Sequence, residues 1–157
     1  IFLTTGVRLS ELASMNVNSI RDMQFSVVGK GNKERTVYMT EACQYAINEY
    51  LAVRPKVKDE QALFLSTRKT RMSNRAIQHM IDKYLNQAGF DVTKYSTHKL
   101  RHTAATLMYK EGVDIRTLQK ILGHTSVATT QIYTHVEDED MREAIKHNPL
   151  SDIKTQD

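Results

Sequence analysis

Gly123 follows an amphipathic run from Asp114 to Leu122 and stands directly before His-Thr-Ser, so one helix must end and another begin within a few residues. The full stretch, residues 121–136, reads Ile-Leu-Gly-His-Thr-Ser-Val-Ala-Thr-Thr-Gln-Ile-Tyr-Thr-His-Val. Thr125 or Ser126 caps the second helix, Val127, Thr130 and Ile132 give it a partly apolar face, and Tyr133 stands near its end. The same punctuation recurs upstream. Arg8 to Met15 has helical character, with Leu9, Leu12 and Met15 three apart. Thr40 caps a helix that runs to about Val53, with Tyr45, Ile47 and Leu51 as its apolar set, and Arg54-Pro55 stops it. Ser73 caps a helix closed by Gly89, with Ala76, Ile77, Met80, Ile81, Tyr84 and Leu85 as its core face. Thr97 is expected to cap the helix from His98 to Glu111, and Asp114 the next; Met141 to Lys146 forms a last short one. Met23–Val28 and Thr36–Met39 are β-prone and flank Gly-Lys-Gly-Asn-Lys-Glu-Arg, a hairpin with a basic tip; Leu63–Ser66 is a candidate third strand. The expected class is α+β, mainly helical, with a small antiparallel sheet near the N-terminus packed on a helical bundle.

A chain of 157 residues supports one hydrophobic core. The expected division is one domain over residues 1–147 and a flexible, polar tail over 148–157. The chain opens Ile-Phe-Leu-Thr-Thr, without methionine or a secretory pattern, and reads as a piece of a longer protein. No run approaches the ~18 apolar residues of a membrane helix. The single cysteine, Cys43, excludes an internal disulfide and suits a reducing cytosol. Charge is unevenly spread. Residues 1–136 hold 19 Lys/Arg against 11 Asp/Glu, whereas residues 137–157 hold 3 against 7. A basic body of this kind suits a polyanionic partner, nucleic acid first among them.

Three local patterns carry chemistry. His98 and His102 share a helix face at i, i+4, but Lys99 and Arg101 beside them repel a cation, and no metal site is expected. His98 and Arg101 at i, i+3 can instead face one anion near a helix N-terminus. The hairpin tip Gly29-Lys30-Gly31-Asn32-Lys33 leads into a strand and is therefore no P-loop; its Lys30 can meet a phosphate or donate a proton. Arg8 with Glu11 three residues on is either a surface ion pair or a guanidinium held ready for a phosphate.

In order, Thr-Gly-x-Arg-x-Ser-Glu-Leu, Gly-Lys-Gly-Asn-Lys-Glu-Arg, His-x-Leu-Arg-His-Thr and Leu-Gly-His-x-Ser…Thr-Thr…Tyr-x-His resemble the catalytic domain of the tyrosine recombinases, in particular the phage-integrase and Xer-type members. The resemblance covers about Thr4 to His135. It implies that Arg8 and Arg101 clamp the scissile phosphate, with Lys30, His98 and His124 as the remaining catalytic groups, Tyr133 as nucleophile and Glu11 in support. Thr97 stands where many relatives have proline. The implied reaction needs neither metal nor ATP: Tyr133 attacks a phosphodiester, a 3′-phosphotyrosine forms and a 5′-hydroxyl leaves. Forming phenolate at pH 7 from a tyrosine of pKa near 10 costs roughly 4 kcal/mol, with His98 as the proton acceptor. Lys30 protonates the leaving oxygen, and Arg8, Arg101 and His124 stabilise the charge. No cofactor is expected. The partner is double-stranded DNA, with Lys33, Arg35, Arg68, Lys69, Arg71, Arg75 and Lys99 as backbone contacts. The resemblance further implies a homo-tetramer on DNA for the full-length protein, a monomer for this piece, a missing core-binding domain and a cytoplasmic setting. The competing readings are a type IB topoisomerase, and a non-catalytic helix-turn-helix built from Asp114–Leu122 and Ser126–Tyr133.

Overall fold

The computed structural model describes residues 1–29, 31, 34–124 and 129–130. Two short helices, α1 (Phe2–Thr5) and α2 (Leu9–Ser14), open the chain. A 3₁₀ turn, Val17–Ser19, leads into a three-stranded sheet of β1 (Ile20–Arg21), β2 (Gln24–Val28) and β3 (Glu34–Tyr38). Four longer helices follow: α3 (Glu41–Val53), α4 (Asn74–Gln87), α5 (Thr97–Lys110) and α6 (Ile115–Leu122). The architecture is thus mainly helical with one small antiparallel sheet, in strand order β1-β2-β3.

Strand alternation decides what the sheet buries. In β2 and β3 the pairs Phe25↔Val37 and Val27↔Arg35 face inward, while Ser26↔Thr36 and Val28↔Glu34 face out. Phe25, Val27 and Val37 join Leu12, Met15, Cys43, Ile47, Leu63 and Ile77 in the main core. A second cluster, Ala105, Leu118 and Leu122 with Met108, Tyr109 and Val113 against it, seals α5 to α6. α1 lies against α5, and α2 against α4. The helices at the start of the chain thereby reach those at its end.

Helix ends follow the side-chain chemistry. The hydroxyls of Thr40 and Ser73 accept from the backbone N–H three residues on, and the Asp114 carboxylate accepts from Arg116 and Thr117. At α5 the cap is Ser96 rather than Thr97. Thr97 is the first helical residue, is buried, and donates its hydroxyl to Gln78 Oε1 on α4 at 2.7 Å. Two adjacent hydroxyl residues both suit a cap, and this tertiary hydrogen bond places Thr97 one position inside the helix. Leu63–Ser66 is not a strand. Ala62 pairs only with Asn16 and Leu65 only with Arg71, so no ladder forms. Five hydrogen bonds from Arg54, to the carbonyls of Pro55, Glu60, Ala62 and Leu63, hold this segment instead. Tyr45 and Tyr84 are exposed, not core. Tyr50 takes the inward place on α3, its ring 5.2 Å from Phe64.

Leu118 is fully buried where α6 meets α5. Leu118→Ala is expected to lower unfolding stability by about 2–5 kcal/mol, read as a shift of the denaturation midpoint.

Candidate active site

Arg8, His98, Arg101 and His124 line one cleft of about 480 Å³, with Val7, Leu9, Ser10, Asn74, Thr97 and Thr129. The ten residues come from the junction of α1 and α2, the first turns of α4 and α5, and the chain after α6. Asn74 and Thr97 are the first residues of α4 and α5, so the positive ends of both helix dipoles lie beside the cleft, which favours an anion.

The end of α6 sets the geometry. Gly123 adopts the left-handed conformation (φ 61°), and two returning hydrogen bonds, Gly123 N–H to Lys120 and His124 N–H to Gln119, close the helix. Three further carbonyls at this end each accept from a different guanidinium. Arg35 Nε donates to Ile121 (3.1 Å), Arg101 Nη2 to Leu122 (2.6 Å) and Arg8 Nη2 to Gly123 (2.9 Å). Arg101, buried, also donates to the carbonyl of Gly6. Gly6 is itself left-handed (φ 63°), and a Cβ there would stand 2.8 Å from Leu122. A side chain at position 6 would therefore collide with the helix end that Arg101 holds.

Beneath the cleft Glu11, 2% exposed, binds two of these arginines. Its Oε1 accepts from Arg8 Nη1 (2.9 Å) and Arg35 Nη1 (2.5 Å); its Oε2 accepts from the Arg8 backbone N–H (2.7 Å) and Arg35 Nη2 (2.9 Å). Burial alone would raise the carboxyl's pKa, but the Arg35 fork and the Arg8 amide and guanidinium outweigh it and hold the group at about 2. Among the described residues of this cluster, the guanidiniums of Arg8, Arg35 and Arg101 outnumber the one carboxylate, Glu11, which leaves an excess of positive charge at the cleft.

His124 is fixed on three sides. Its N–H is bound to Gln119, its carbonyl accepts from Gln119 Nε2 (3.2 Å), and its Nδ1 lies 2.9 Å from the buried Thr130 hydroxyl. Burial, followed by the positive charges of Arg101, Arg8 and Arg35 and the nearby His98, holds its pKa down at about 4. The imidazole is therefore neutral at pH 7 and adds no cation to the cleft.

Five of the expected site residues, Arg8, Glu11, His98, Arg101 and His124, thus come together. Lys30, Lys33 and Tyr133 lie outside the described residues, as do most of the expected Ser126–Tyr133 helix, Met141–Lys146 and the 148–157 tail. Arg68, Lys69, Arg75 and Lys99 are exposed. Of the other two expected DNA-contacting arginines, Arg35 is committed inside the fold, whereas Arg71 is exposed and tied to the surface of α2. Arg35 points inward from β3 to Glu11 and α6. Arg71 donates to the carbonyls of Ala13 and Met15 and to Asn16 Oδ1, bracing the exit of α2. Strand alternation carried the signal for Arg35: with Val37 inward, the residue two positions earlier shares its face. Asn74, Thr97 and Thr129 are polar lining residues whose place at the cleft depends on tertiary packing.

Residues 1–140 match the model of the phage integrase family. The chain is 57% identical over 154 residues to tyrosine recombinase XerC of Caldanaerobacter subterraneus, covering 96% of this chain and 44% of that protein. It is 37% identical to XerC of Thermodesulfovibrio yellowstonii, covering 96% and 53%. Among solved structures it superposes on the XerA recombinase with a TM-score of 0.81 and 41% identity, over 94% of this chain and 56% of that one. It also superposes on the XerH recombinase bound to its difH substrate, with a TM-score of 0.75 and 27% identity, over 93% and 44%. The chain spans about half the length of these curated relatives.

The Glu11 cluster predicts an acid-labile fold. A carboxyl near 4.5 when unfolded and about 2 when folded stabilises the protein above pH ~4.5, and that contribution is lost as the pH falls toward 2. The contribution is on the order of 3 kcal/mol. Unfolding followed from pH 6 to pH 2 should show this fall in the parent chain and a flatter profile in Glu11→Gln.

Proposed function

The chain belongs to the phage integrase family, and we propose that it is the catalytic part of a tyrosine site-specific recombinase, cutting and rejoining double-stranded DNA through a 3′-phosphotyrosine bond. The observation that carries this reading is the convergence of Arg8, His98, Arg101 and His124 on one positively charged cleft. A phosphodiester carries one negative charge, which spreads further over the non-bridging oxygens as a fifth oxygen approaches phosphorus. Arg8 and Arg101, already locked to α6 carbonyls, meet that charge without reorganising at the moment of reaction. In its Nε2–H tautomer His124 is a neutral donor, which accepts the Thr130 hydroxyl at Nδ1 and offers Nε2–H to a non-bridging oxygen.

The remaining steps follow the family pattern. Tyr133 supplies the nucleophile, and His98 takes the phenolic proton as the oxygen–phosphorus bond forms. The bond to the 5′-oxygen breaks, and Lys30 protonates that oxygen. The phosphotyrosine keeps the energy of the broken bond, so a 5′-hydroxyl of another strand attacks it in the reverse sense and religation needs no ATP. The XerH relative, bound to its difH substrate, supports double-stranded DNA as the partner. In the full protein residues 1–147 act as the catalytic domain, beside a further DNA-gripping domain and within a tetramer, in the cytoplasm.

The decisive experiment uses the full-length protein and a nicked suicide substrate carrying its recombination site. Denaturing gels should show a 3′-linked covalent adduct that Tyr133→Phe abolishes while DNA binding stays nearly unchanged. Binding without an adduct in the unsubstituted protein would refute the enzyme reading. For the exposed cations, alanine at Arg68, Lys69, Arg75 or Lys99 should each reduce the slope of log affinity against log salt by about 0.9.

A further inference from the structure

We propose that Arg35 is a positioning residue of the recombinase site, by which strand β3 fixes Arg8 and the Gly123–His124 corner in a single frame; this rests on the reading above that the cleft receives the scissile phosphate. An exposed cation on a basic hairpin would ordinarily meet DNA. This one lies on the inward face of β3, opposite Val27, with its side chain 13% exposed. Its fork takes both oxygens of Glu11, at 2.5 and 2.9 Å, and its Nε takes the carbonyl of Ile121 at 3.1 Å. Both partners are shared with the site. The same Glu11 oxygens hold the guanidinium and backbone amide of Arg8, and the same helix end holds Arg101 and leads into His124.

The path of Arg35 also accounts for the absence of a side chain at position 123. A Cβ there would stand 3.0 Å from Arg35 Cδ and Nε and 3.1 Å from Cζ. Gly123 therefore serves the left-handed turn and the passage of this arginine together. Arg35 follows Lys30 by five residues in the sequence, so it anchors the strand that succeeds the expected general acid to the residues expected to bind the phosphate. Lysine could offer Glu11 a charge. It could not grip both oxygens and a carbonyl at once.

The test is single-turnover adduct formation by the full-length protein on a suicide substrate at saturating DNA, with Arg35→Met and Arg35→Lys. Arg35→Met should slow cleavage by about tenfold or more with the DNA dissociation constant nearly unchanged, and Arg35→Lys should recover part of the rate. On a substrate whose scissile phosphate carries a neutral methylphosphonate, the defect should shrink, because that centre depends less on a correctly placed Arg8. In the Glu11→Gln background, which leaves no buried carboxylate to orphan, Arg35→Met should cost little more. Unchanged cleavage in Arg35→Met, or equal losses on both substrates together with weakened DNA binding, would overturn the proposal and leave the recombinase reading standing. Absence of any adduct in the unsubstituted protein would instead remove the reading on which the proposal rests.

Discussion

The structure turns on how one helix end satisfies its carbonyls. The last turn of an α-helix leaves acceptors that its own amides cannot reach, and burying them unpaired costs about 1–3 kcal/mol each. At α6 the left-handed Gly123 returns two backbone amides, and three arginines from three other parts of the chain take the rest. The negative end of the helix dipole suits that cationic company, and the carbonyls in turn hold long, flexible side chains in one conformation. Glu11 adds a second anchor for two of the three. Scaffold and site are therefore not separable here: the groups that complete the helix are those that charge the cleft.

That economy shapes the chemistry the cleft can perform. Guanidiniums remain protonated throughout the working pH range, so their charge does not depend on conditions. Burial, with their field, holds the His124 pKa down at about 4, so the imidazole is not a further cation at pH 7. A site charged in advance, with most of its side-chain freedom already lost, suits a reaction in which negative charge grows at phosphorus and no group need travel to meet it.

Much of the fold was readable in local chemistry. Thr40, Ser73 and Asp114 cap helices because a short oxygen-bearing side chain just before an apolar run can reach the next free amides. Gly123 stops α6 because few other residues tolerate the left-handed region. The grouping of Arg8, His98, Arg101 and His124 followed from family resemblance, since residues so far apart in the chain carry no mutual spacing signal. What escaped the sequence depends on which of two equivalent choices tertiary contacts select. Ser96 and Thr97 are both competent caps, and the Gln78 contact decides between them. Tyr45 and Tyr84 fit helical periodicity but fall at the edge of the buried stripe. Arg35 looked like a surface cation because composition records charge and not direction. Only the register of β3, and carbonyls far away in sequence, show that Arg35 points inward.

The separations involved bear on how the protein comes into being. The hydrogen bond from Arg8 to Gly123 spans 115 residues, that from Arg101 to Gly6 spans 95 and that from Arg35 to Ile121 spans 86. Contacts of such length are slow to form and close only after the intervening chain has ordered. During synthesis from the N-terminus, Arg8, Glu11 and Arg35 leave the ribosome long before α6 exists to receive them. A nascent chain that has not yet displayed residue 123 lacks the frame that holds its cations in place. The assembled cleft thus forms only once residue 123 has been made, and a translation product that stops short of it cannot assemble the site.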